Sequence, residues 1–435
     1  MITKEESSAI KSELQDDVVQ QFISLERKWG AVYAATGVGK SNIGLKLIKY
    51  LFDKNAHRLD FKPRILIVVP TVNLRDNNWK QEFEDWELGY LWPNVRRECY
   101  KSIANIVAEE FDLVILDEGH NLTPNNSKFL LYNIIHACLL LTGTKPPRRS
   151  IKNNIINDFG FITLKEVPVE QAEQMGVVSP FNVTVITMDL DDTVRYIPYG
   201  PADNKRLITE RDAYMRYTYA FYKHRQPFMA KKRKHLMSNL ASKKDMAAKI
   251  ITNVLPKDRK VLIFCGSKDH AIDLCSHRYY SKPVIKKQDR DDPVAMQKFQ
   301  HHLDNYQGNS SLEAFKKGEI LQLSCINALN EGQNIDDLSI AFIVVIDSTV
   351  KNAMQRIGRA IRFTEGKVAN VIILCVRDTV DEEWTKKALS QLSSDRVRWI
   401  PVEELRTGRQ TINFNEKYQY GTQPTNQGSS ATTQD

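Results

Sequence analysis

Residues 30–52 have the sequence GAVYAATGVGKSNIGLKLIKYLF, in which a short apolar run, a turn with two glycines and an amphipathic segment follow one another. The apolar run 30–35 predicts a buried strand, residues 36–39 a loop, and residues 40–52 a helix. A strand, a loop and a helix in this order are the context in which the pattern G-x-x-x-x-G-K-[ST] binds phosphate groups. Ala34 stands at the first glycine of that pattern. The stretch therefore predicts an α/β fold built around a phosphate site.

Similar apolar runs occur on both sides of a basic middle segment. Runs at 64–70, 111–118 and 137–143 alternate with amphipathic segments, and the alternation resumes with runs at 260–266, 319–325, 339–347 and 367–376. Short runs with little polar alternation are typical of strands buried on both faces of a parallel sheet. We therefore predict two doubly wound lobes, divided as follows: residues 1–190, a mostly helical basic segment at 191–257, a second lobe at 258–405 and a disordered tail at 406–435.

Composition limits the class of protein. The 435 residues are 42% hydrophobic and 26% charged, as in ordinary globular proteins. No apolar run reaches the roughly 20 residues that span a bilayer, and the polar N-terminus does not resemble a secretory signal. The six cysteines form no C-x-x-C pair. We expect a cytoplasmic protein without a membrane segment, a disulfide framework or a structural metal.

The net charge of +8 is unevenly distributed. Residues 204–260 contain 16 Lys+Arg and 4 Asp+Glu, which leaves 61 − 16 = 45 basic and 53 − 4 = 49 acidic residues elsewhere. The middle segment thus carries the whole positive excess. Such a run is either a solvated helical face or a surface for a polyanion, and charge alone favours neither interpretation.

Two elements of the first half predict a nucleoside triphosphatase. In the loop Thr36-Gly37-Val38-Gly39, backbone N–H groups would approach phosphates, Lys40 would contact the β- and γ-phosphates, and the Ser41 hydroxyl would bind Mg²⁺. The run at 113–116 ends in Asp117 and Glu118. Asp117 would hold the Mg²⁺ shell and Glu118 would act as a base towards water. The sequence therefore predicts a nucleoside triphosphate and Mg²⁺ as ligands.

The full motif set resembles superfamily 2 helicases and translocases. The first half contains AATGVGKS, VVPTVNL, CYKS, LDEGH and LTGT, and the second contains LIFCGSKDHA, SCINALNEGQNIDD and QRIGRAIR, all in the order of that family. Many of its members have alanine at the first loop glycine, as here at Ala34. The resemblance covers residues from about 10 to 395. Its details are closest to phage branch-migration helicases and restriction-enzyme motor subunits.

The resemblance implies two RecA-like lobes with ATP in the cleft between them. It implies that Gln15 contacts adenine, that Gly332 and Asn334 sense the nucleotide, and that His120, Thr142, Gly143 and Thr144 couple hydrolysis to lobe movement. Gln355, Arg359 and Arg362 belong to QRIGRAIR, where the two arginines would stabilise transition-state charge. The sequence departs from the family at Asn334, where aspartate is commoner, and at Lys145, which replaces a proline.

Nucleic-acid contacts are predicted from the motifs and from the basic segment. The resemblance implies backbone-directed contacts at Pro70, Thr71, Tyr100, Ser102 and Ser267, and the charge pattern adds Lys231, Lys232, Arg233 and Lys234. The aromatic residues of the middle segment either stack on bases or pack between the lobes, and packing is the favoured interpretation.

The sequence thus predicts an ATP-dependent DNA helicase or translocase, a monomeric motor of a bacterial or phage-infected cell. Its track would be single-stranded, duplex or branched DNA, with RNA a further possibility and replication or recombination proteins as candidate partners. The alternatives are a restriction-system motor subunit, an RNA helicase, or an ATP-gated clamp that binds nucleic acid without hydrolysis.

Overall fold

The first lobe is built on a parallel sheet. The computed structural model describes residues 2–58, 62–143, 145–201, 203–326, 335, 337–346 and 350–418. A six-stranded sheet of order β3-β2-β5-β7-β1-β8 has every neighbouring pair parallel. The strands of this lobe are β1 (Lys28–Ala34), β2 (Ile65–Val69), β3 (Val95–Cys99), β4 (Glu110–Phe111), β5 (Leu113–Asp117), β6 (Ile134–Ile135), β7 (Ala137–Thr142) and β8 (Ile162–Val167).

Helices cover both faces of this sheet, and strands β2 and β5 are buried along their whole length. The longest helix begins with a capping box, in which Thr3 Oγ1 accepts from the Glu6 N–H and the Thr3 N–H donates to the Glu6 carboxylate at 2.8 Å. That arrangement satisfies donors that a helix start otherwise leaves unpaired. The helices are α1 (Lys4–Ser24), α2 (Lys40–Lys54), α3 (Trp79–Asp85), α4 (Phe129–Tyr132), α5 (Ile151–Asp158) and α6 (Val169–Gln174).

The second lobe has a seven-stranded parallel sheet of order β13-β14-β12-β15-β16-β9-β17. The two parallel sheets confirm the predicted α/β class. The strands are β9 (Phe181–Met188), β12 (Val261–Phe264), β13 (Arg278–Tyr279), β14 (Gln322–Cys325), β15 (Ile340–Ile343), β16 (Ala369–Val376) and β17 (Val397–Pro401), and the helices are α10 (Lys268–Leu274), α11 (Pro293–Asp304), α12 (Ser310–Lys317), α13 (Val350–Ala360), α14 (Val380–Ala388) and α15 (Val402–Arg406).

Strand β9 lies in the second sheet, although its sequence precedes the basic segment. It pairs with β16 over eight residue pairs and with β17 on its other side. The Asn182 and Asn370 side chains form a hydrogen bond at 3.2 Å within the first of these ladders. The chain thus leaves the first sheet at Val167 and enters the second at Phe181, whereas the sequence places the boundary at residue 190. Apolar strands of one sheet resemble those of the other, so composition does not reveal this crossover.

The segment between β9 and β12 is mostly helical, as the sequence predicts. A hairpin of β10 (Ile197–Tyr199) and β11 (Arg206–Ile208) precedes α7 (Glu210–Lys223), α8 (Pro227–Ser238) and α9 (Ala241–Asn253). Lys243 of α9 forms an ion pair with Asp381 of α14 at 2.6 Å, and both side chains are 0% exposed. The helical segment is therefore anchored to the second lobe.

The last described residues contact the second sheet. The Tyr418 N–H donates to the Asn182 side chain at 2.9 Å, and the Glu416 carbonyl accepts from the same side chain at 2.8 Å. The predicted disordered tail at 406–435 is therefore wrong for its first part, since α15 extends to Arg406 and residues up to 418 pair with the lobe. Residues 419–435 lie outside the described part. Among the described helices, none combines the length and apolarity needed to cross a membrane.

Candidate active site

The loop between β1 and α2 has the backbone shape of a phosphate-binding turn. Gly37 and Gly39 adopt φ angles of 99° and 86°. Glycine enters this left-handed region without the clash that a Cβ atom would cause. Ala34 is instead the last residue of strand β1 and is buried there. The missing first glycine therefore falls on a strand position, where alanine fits.

Lys40 and Ser41 form the first turn of α2. A helix N-terminus presents unpaired N–H groups and partial positive charge to an anion. The Lys40 Nζ donates to the Ala34 carbonyl at 2.8 Å. Burial lowers the pKa of the Lys40 ammonium group below its ordinary value, and the Glu118 and Asp117 carboxylates oppose that shift. This end of the cleft has the chemistry of an anion site.

Gln15 supports the loop from behind. Its side-chain nitrogen donates to the Val38 carbonyl at 3.1 Å and to the Gly39 carbonyl at 3.4 Å. Its side-chain oxygen accepts from Asn42 of α2 at 2.5 Å. Gln15 is buried, and Val38 is fully buried in the core. Both side-chain groups of Gln15 thus contact the loop and its helix, while the predicted adenine contact stays a prediction.

Strand β5 delivers two carboxylates to the same place. Asp117 ends the strand, and Glu118 follows with a left-handed φ of 52°. Asp117 Oδ2 accepts from the Trp79 indole N–H at 3.0 Å, and the Tyr100 hydroxyl donates to the Asp117 carbonyl at 2.9 Å. Burial and then the charge of Glu118 raise the pKa of Asp117 well above its ordinary value. A bound cation would stabilise such a pair of carboxylates.

His120 connects the acidic strand end to strand β7. Its Nδ1 atom lies 2.7 Å from Thr142 Oγ1 and 3.2 Å from the Glu118 carboxylate. Both His120 and Thr142 are buried. Gly143 follows, and a Cβ atom there would lie 3.6 Å from Lys40 Nζ. These predicted coupling residues therefore lie together at the cleft, while Thr144 lies outside the described residues.

Helix α13 of the second lobe approaches the phosphate loop. A Cβ atom at Gly358 would lie 2.6 Å from Cβ and 2.7 Å from Oγ1 of Thr36. Side chains do not approach so closely, so glycine is what allows this contact between the lobes. Gln355 and Arg359 are buried on the same helix.

A cavity of about 410 Å³ lies beside this contact and contains the predicted catalytic residues. Thr36, Gly37, Gly39 and Ser41 line it as well. The predicted catalytic side chains that line it are Lys40, Asp117, Glu118, Gln355, Arg359 and Arg362. Gly332 and Asn334, the predicted nucleotide sensors, lie outside the described residues.

Arg362 lines the cavity, and its backbone pairs with the residues that connect the two lobes. Val178 forms an antiparallel bridge with Arg362. The Ser179 hydroxyl donates to the Arg362 carbonyl at 3.0 Å, and the Ser179 N–H donates to the Ile361 carbonyl at 2.8 Å. Residues 178 and 179 lead from the first lobe into β9.

The cavity is also lined by residues that the motifs did not indicate, among them Lys11, Glu82 and Phe363. Lys11 Nζ lies 5.8 Å from the centroid of the Phe363 ring. Burial, and then the charge of Arg362, lower the pKa of Lys11, whereas burial raises the pKa of Glu82. Phe363 directly follows QRIGRAIR, so its position next to that motif could have indicated that it lies at the cavity. Lys11 and Glu82 reach the cavity only through the packing of α1 and α3.

A second cavity of about 250 Å³ is lined by Thr36 and Gly358 and extends to Lys145 and Glu166. Lys145 Nζ forms an ion pair with Glu166 at 2.5 Å and lies 5.2 Å from the centroid of the Tyr33 ring. The lysine that replaces the family's proline is therefore part of a charged wall of the cleft.

The motif residues predicted to contact nucleic acid differ in exposure. Tyr100 is buried, with its hydroxyl bonded to the acidic strand end, so its side chain is used within the lobe, and a contact of its motif with nucleic acid stays a prediction. Ser102 is half-buried and donates to the backbone carbonyl three residues before it. Ser267 caps α10 through its hydroxyl. Thr71 is exposed and Pro70 half-buried.

The four predicted basic residues of α8 also differ in exposure. Lys231, Lys232 and Lys234 are exposed. Arg233 is buried, and its guanidinium carbon lies 5.1 Å and 5.6 Å from the ring centroids of Phe221 and Tyr222. The prediction that Arg233 contacts phosphate is therefore wrong, because its charge is used against aromatic rings.

The cavity fits a magnesium–nucleotide complex by its donor set. Ser41 supplies a hydroxyl and Asp117 a carboxylate, which are oxygen ligands of the kind that Mg²⁺ takes. Gln355 Oε1 is buried without a hydrogen-bond partner among the described residues. A polar atom in that position is explained by a ligand or water in the cavity. Ser41 and Asp117 would hold Mg²⁺, and Lys40 and the loop N–H groups would hold phosphate.

Two family models match the chain. Residues 8–103 match the type III restriction enzyme res subunit, and residues 242–364 match the helicase conserved C-terminal domain. A curated relative, the DNA 3'-5' translocase XPB2 of Sulfurisphaera tokodaii, is 22% identical over 390 residues, which covers 83% of this chain and 81% of the relative. The first match contains the phosphate loop, and the second contains α13.

Two solved structures share the fold. The type ISP restriction-modification enzyme LlaBIII, solved bound to DNA, has a TM-score of 0.53 at 13% identity, over 90% of this chain. A putative HsdR subunit fragment of a type I restriction enzyme from Vibrio vulnificus YJ016 has a TM-score of 0.52 at 14% identity, over 89% of this chain and 67% of that chain. This chain spans 31% of LlaBIII. At these identities the likeness concerns the fold of the two lobes.

Proposed function

Because the chain belongs to superfamily 2 of helicases and translocases, we propose that it hydrolyses ATP between its lobes to move along DNA or remodel it. The observation that carries the proposal is the 410 Å³ cavity, in which Lys40, Asp117 and Glu118 of one lobe meet Arg359 and Arg362 of the other. Such a composite site is complete only when both lobes are in place. Hydrolysis can then be coupled to their movement.

The first lobe would bind and orient the substrate. The loop N–H groups and Lys40 would hold the phosphates at the start of α2, where the helix dipole also favours negative charge. Bound Mg²⁺ supplies neutralisation of phosphate charge. Glu118 would position the attacking water and accept its proton.

The second lobe would complete the site. Arg359 on α13, and Arg362 just beyond its end, would stabilise charge that develops on the transferred phosphoryl group, a contribution of roughly 10³–10⁵ in rate. Thr36 and Gly358 hold this helix against the phosphate loop. The chain of contacts from Glu118 through His120 to Thr142 would carry the change at the carboxylate into strand β7.

DNA as the track is supported by the relatives and by the charge of the chain. The name of the Sulfurisphaera tokodaii relative describes a DNA translocase, and LlaBIII was solved bound to DNA. The basic segment carries the positive excess that a nucleic-acid backbone attracts. A bacterial or phage-infected cytoplasm stays part of this proposal, as do the predicted roles of the cleft residues and a division into two lobes and a helical segment.

A second candidate is the motor subunit of a restriction system. The match to the res subunit and the two restriction-enzyme structures favour it. A motor alone, active on DNA without further subunits, favours the first proposal. An activity that appears only with a nuclease or methyltransferase subunit would favour the second.

The test is ATP hydrolysis by the purified chain, alone and with single-stranded, duplex or forked DNA, or with RNA. We expect strong stimulation by DNA, and the best polymer identifies the track. Lys40→Ala should abolish turnover, whereas Lys49→Ala, an exposed position on the same helix, should leave it unchanged. ATP binding with negligible turnover on every polymer would overturn a motor that acts alone, and leave the ATP-gated clamp or a motor that depends on a further subunit. Stimulation by RNA alone would establish an RNA helicase.

A further inference from the structure

Helices α7 and α8 form a hairpin whose inner side is anchored to the second lobe. Thr209 caps α7, since its hydroxyl accepts from the Asp212 N–H at 3.1 Å, and α8 starts at Pro227, which suits a first helical turn. Tyr214 is buried, and its hydroxyl accepts from the Val380 N–H at 2.8 Å. These contacts fix which side of the hairpin faces outward.

The outward side carries large apolar side chains. On α7, Met215, Tyr219 and Tyr222 are spaced by four and three residues, so they lie along one face. They are 63%, 53% and 64% exposed, and Phe228 at the start of α8 is 51% exposed. We call these four residues the aromatic face. The favoured interpretation from sequence, packing between the lobes, is therefore wrong for Tyr219, Tyr222 and Phe228.

The charge around the aromatic face has one sign. Residues 213–238 contain seven Lys+Arg (216, 223, 225, 231, 232, 233 and 234) and no Asp or Glu. Lys223 Nζ lies 4.9 Å from the centroid of the Tyr219 ring, and Lys232 Nζ lies 5.5 Å from that of Phe228. An apolar protein partner would need no such charge, whereas a polyanion with flat apolar groups matches both features.

Arg233 holds one ring of this surface in place. It is buried between α7 and α8, and its guanidinium carbon lies 5.6 Å from the centroid of the Tyr222 ring. Phe221 packs edge-on against the same ring at 4.9 Å between centroids. The Tyr222 ring is thus supported from below while it stays exposed. A supported, exposed ring loses little side-chain entropy when a ligand stacks on it.

We propose that the aromatic face binds single-stranded nucleic acid, with bases stacked on Tyr219, Tyr222 and Phe228. Lys223, Lys231, Lys232 and Lys234 contact the phosphates between them. This inference rests on the proposed function and deepens it, since it names an unpaired strand as the ligand of the helical segment. Bases in a duplex are stacked on one another, so their faces do not reach these rings. Stacking tolerates any base, and the surface therefore holds a strand without selecting its sequence.

The test measures binding of fluorescent oligonucleotides to the full chain by anisotropy. Each ring replaced by alanine, at Tyr219, Tyr222 or Phe228, should weaken oligo-dT binding roughly 5- to 150-fold, since stacking is worth about 1–3 kcal/mol per base. Tyr219→Phe and Tyr222→Phe keep the ring and should bind like the unaltered protein. A double Tyr90→Ala, Tyr132→Ala variant, which removes two exposed rings of the first lobe, should also bind normally.

An abasic strand of the same length provides a test that needs no variant. It should bind the unaltered protein as weakly as dT binds the triple alanine variant, in which Tyr219, Tyr222 and Phe228 are all replaced by alanine. The same binding assay with RNA shows whether the surface binds a strand with ribose, and the assay with duplex DNA shows whether base pairing blocks binding. Equal affinity for abasic and dT strands, or for duplex and single strands, would overturn stacking.

ATP hydrolysis without nucleic acid separates this inference from the proposed function. All these variants should keep the basal rate, because none of the altered residues lines the 410 Å³ cavity. If DNA stimulates hydrolysis while the triple alanine variant binds dT normally, only the stacking surface is overturned. If no nucleic acid stimulates hydrolysis but the variants lose dT binding, the motor fails and the surface stands.

Discussion

Tyr100 and Tyr222 are residues of one type in two regions with opposite designs. Tyr100 belongs to the cleft between the lobes, where it is buried with its hydroxyl bonded to the backbone of Asp117. Tyr222 belongs to the helical segment, where it is 64% exposed on a cationic support. In the cleft an aromatic residue holds other groups in position. On α7 the ring itself is the available surface.

The difference shows how each region encodes its chemistry. The cleft uses short motifs, because carboxylates, a lysine and arginines must meet at fixed places around one phosphate chain. Mutual contacts keep them there, as in the chain Glu118–His120–Thr142. The aromatic face uses spacing on a helix and a surplus of one charge, so each ring and each lysine contributes only part of the binding. Changes in the cleft should therefore be severe, and changes in the helical segment graded.

The largest effect tests the composite nature of the cleft. Arg359→Ala should lower kcat for ATP about 10³-fold or more, because an arginine that meets the transferred phosphoryl group stabilises its transition state. Arg359→Lys should recover little, since an ammonium cannot reproduce the planar donor fork. Steady-state hydrolysis with saturating DNA measures the effect.

Arg377→Ala is the matched control in the same lobe, where that arginine pairs with Asp189 at 2.8 Å near the surface. It should keep nearly full activity. A loss of less than tenfold in Arg359→Ala, with ATP still bound, would contradict the role of α13 in the site.

The second effect concerns the buried ion pair of Lys243 and Asp381, which anchors the helical segment to the second lobe. Lys243→Met leaves the Asp381 carboxylate buried and unpaired, which should cost about 3–5 kcal/mol of unfolding free energy. Lys244→Met, one position along, removes only a partly exposed pair with Asp273 and should cost less than about 1 kcal/mol. Urea denaturation of both variants gives the comparison. Equal stabilities would show that the helical segment is not anchored through this pair.

The third effect is a pH dependence of the unfolding free energy that His270, near the same ion pair, contributes. Burial is the main cause that lowers the pKa of His270 from 6.5 to about 4, and Lys244 and Lys243 of α9 add to it while Asp273 and Asp269 oppose it. The unfolded chain therefore binds a proton that the folded chain does not, once the pH falls below 6.5. The contribution of neutral His270 to the unfolding free energy is fully present above pH 7. It falls as the pH drops, and the loss levels off below about pH 4.

Between pH 7 and pH 5 the His270 contribution should decrease by about 2 kcal/mol. His270→Gln should remove this part of the slope and leave that of the other groups. Denaturation midpoints at both pH values measure it. A slope unchanged in the variant would contradict a neutral, buried His270.

The sequence predicts the cleft better than the rest, for a physical reason. Motif spacing follows from the chemistry of one phosphate chain, and the structure brings Lys40, Glu118 and Arg359 to a single cavity. The sequence also predicts two parallel sheets, because strands buried on both faces are apolar throughout. Lys11 and Glu82 could not be predicted to line the cavity, since they reach it only through the packing of two helices.

The sequence does not predict which side chains are buried or which sheet a strand joins. Arg233 stands among lysines in the chain, yet it is buried against aromatic rings. Strand β9 is apolar like its neighbours in sequence, yet it pairs in the other sheet. In both cases local composition is the same for either outcome, and long-range packing decides.

The smallest effect returns to the two tyrosines. Tyr100→Phe keeps the ring in the core and removes the hydroxyl that donates to the Asp117 carbonyl. Loss of one such hydrogen bond should cost roughly 0.5–1.5 kcal/mol of unfolding free energy and lower kcat only modestly. DNA affinity should not change, because the side chain is buried. Tyr132→Phe, at an exposed position of the first lobe, is the control for the substitution itself. A selective loss of DNA affinity in Tyr100→Phe would mean that the hydroxyl leaves Asp117 and reaches the strand, and the contrast between the cleft and the aromatic face would then disappear.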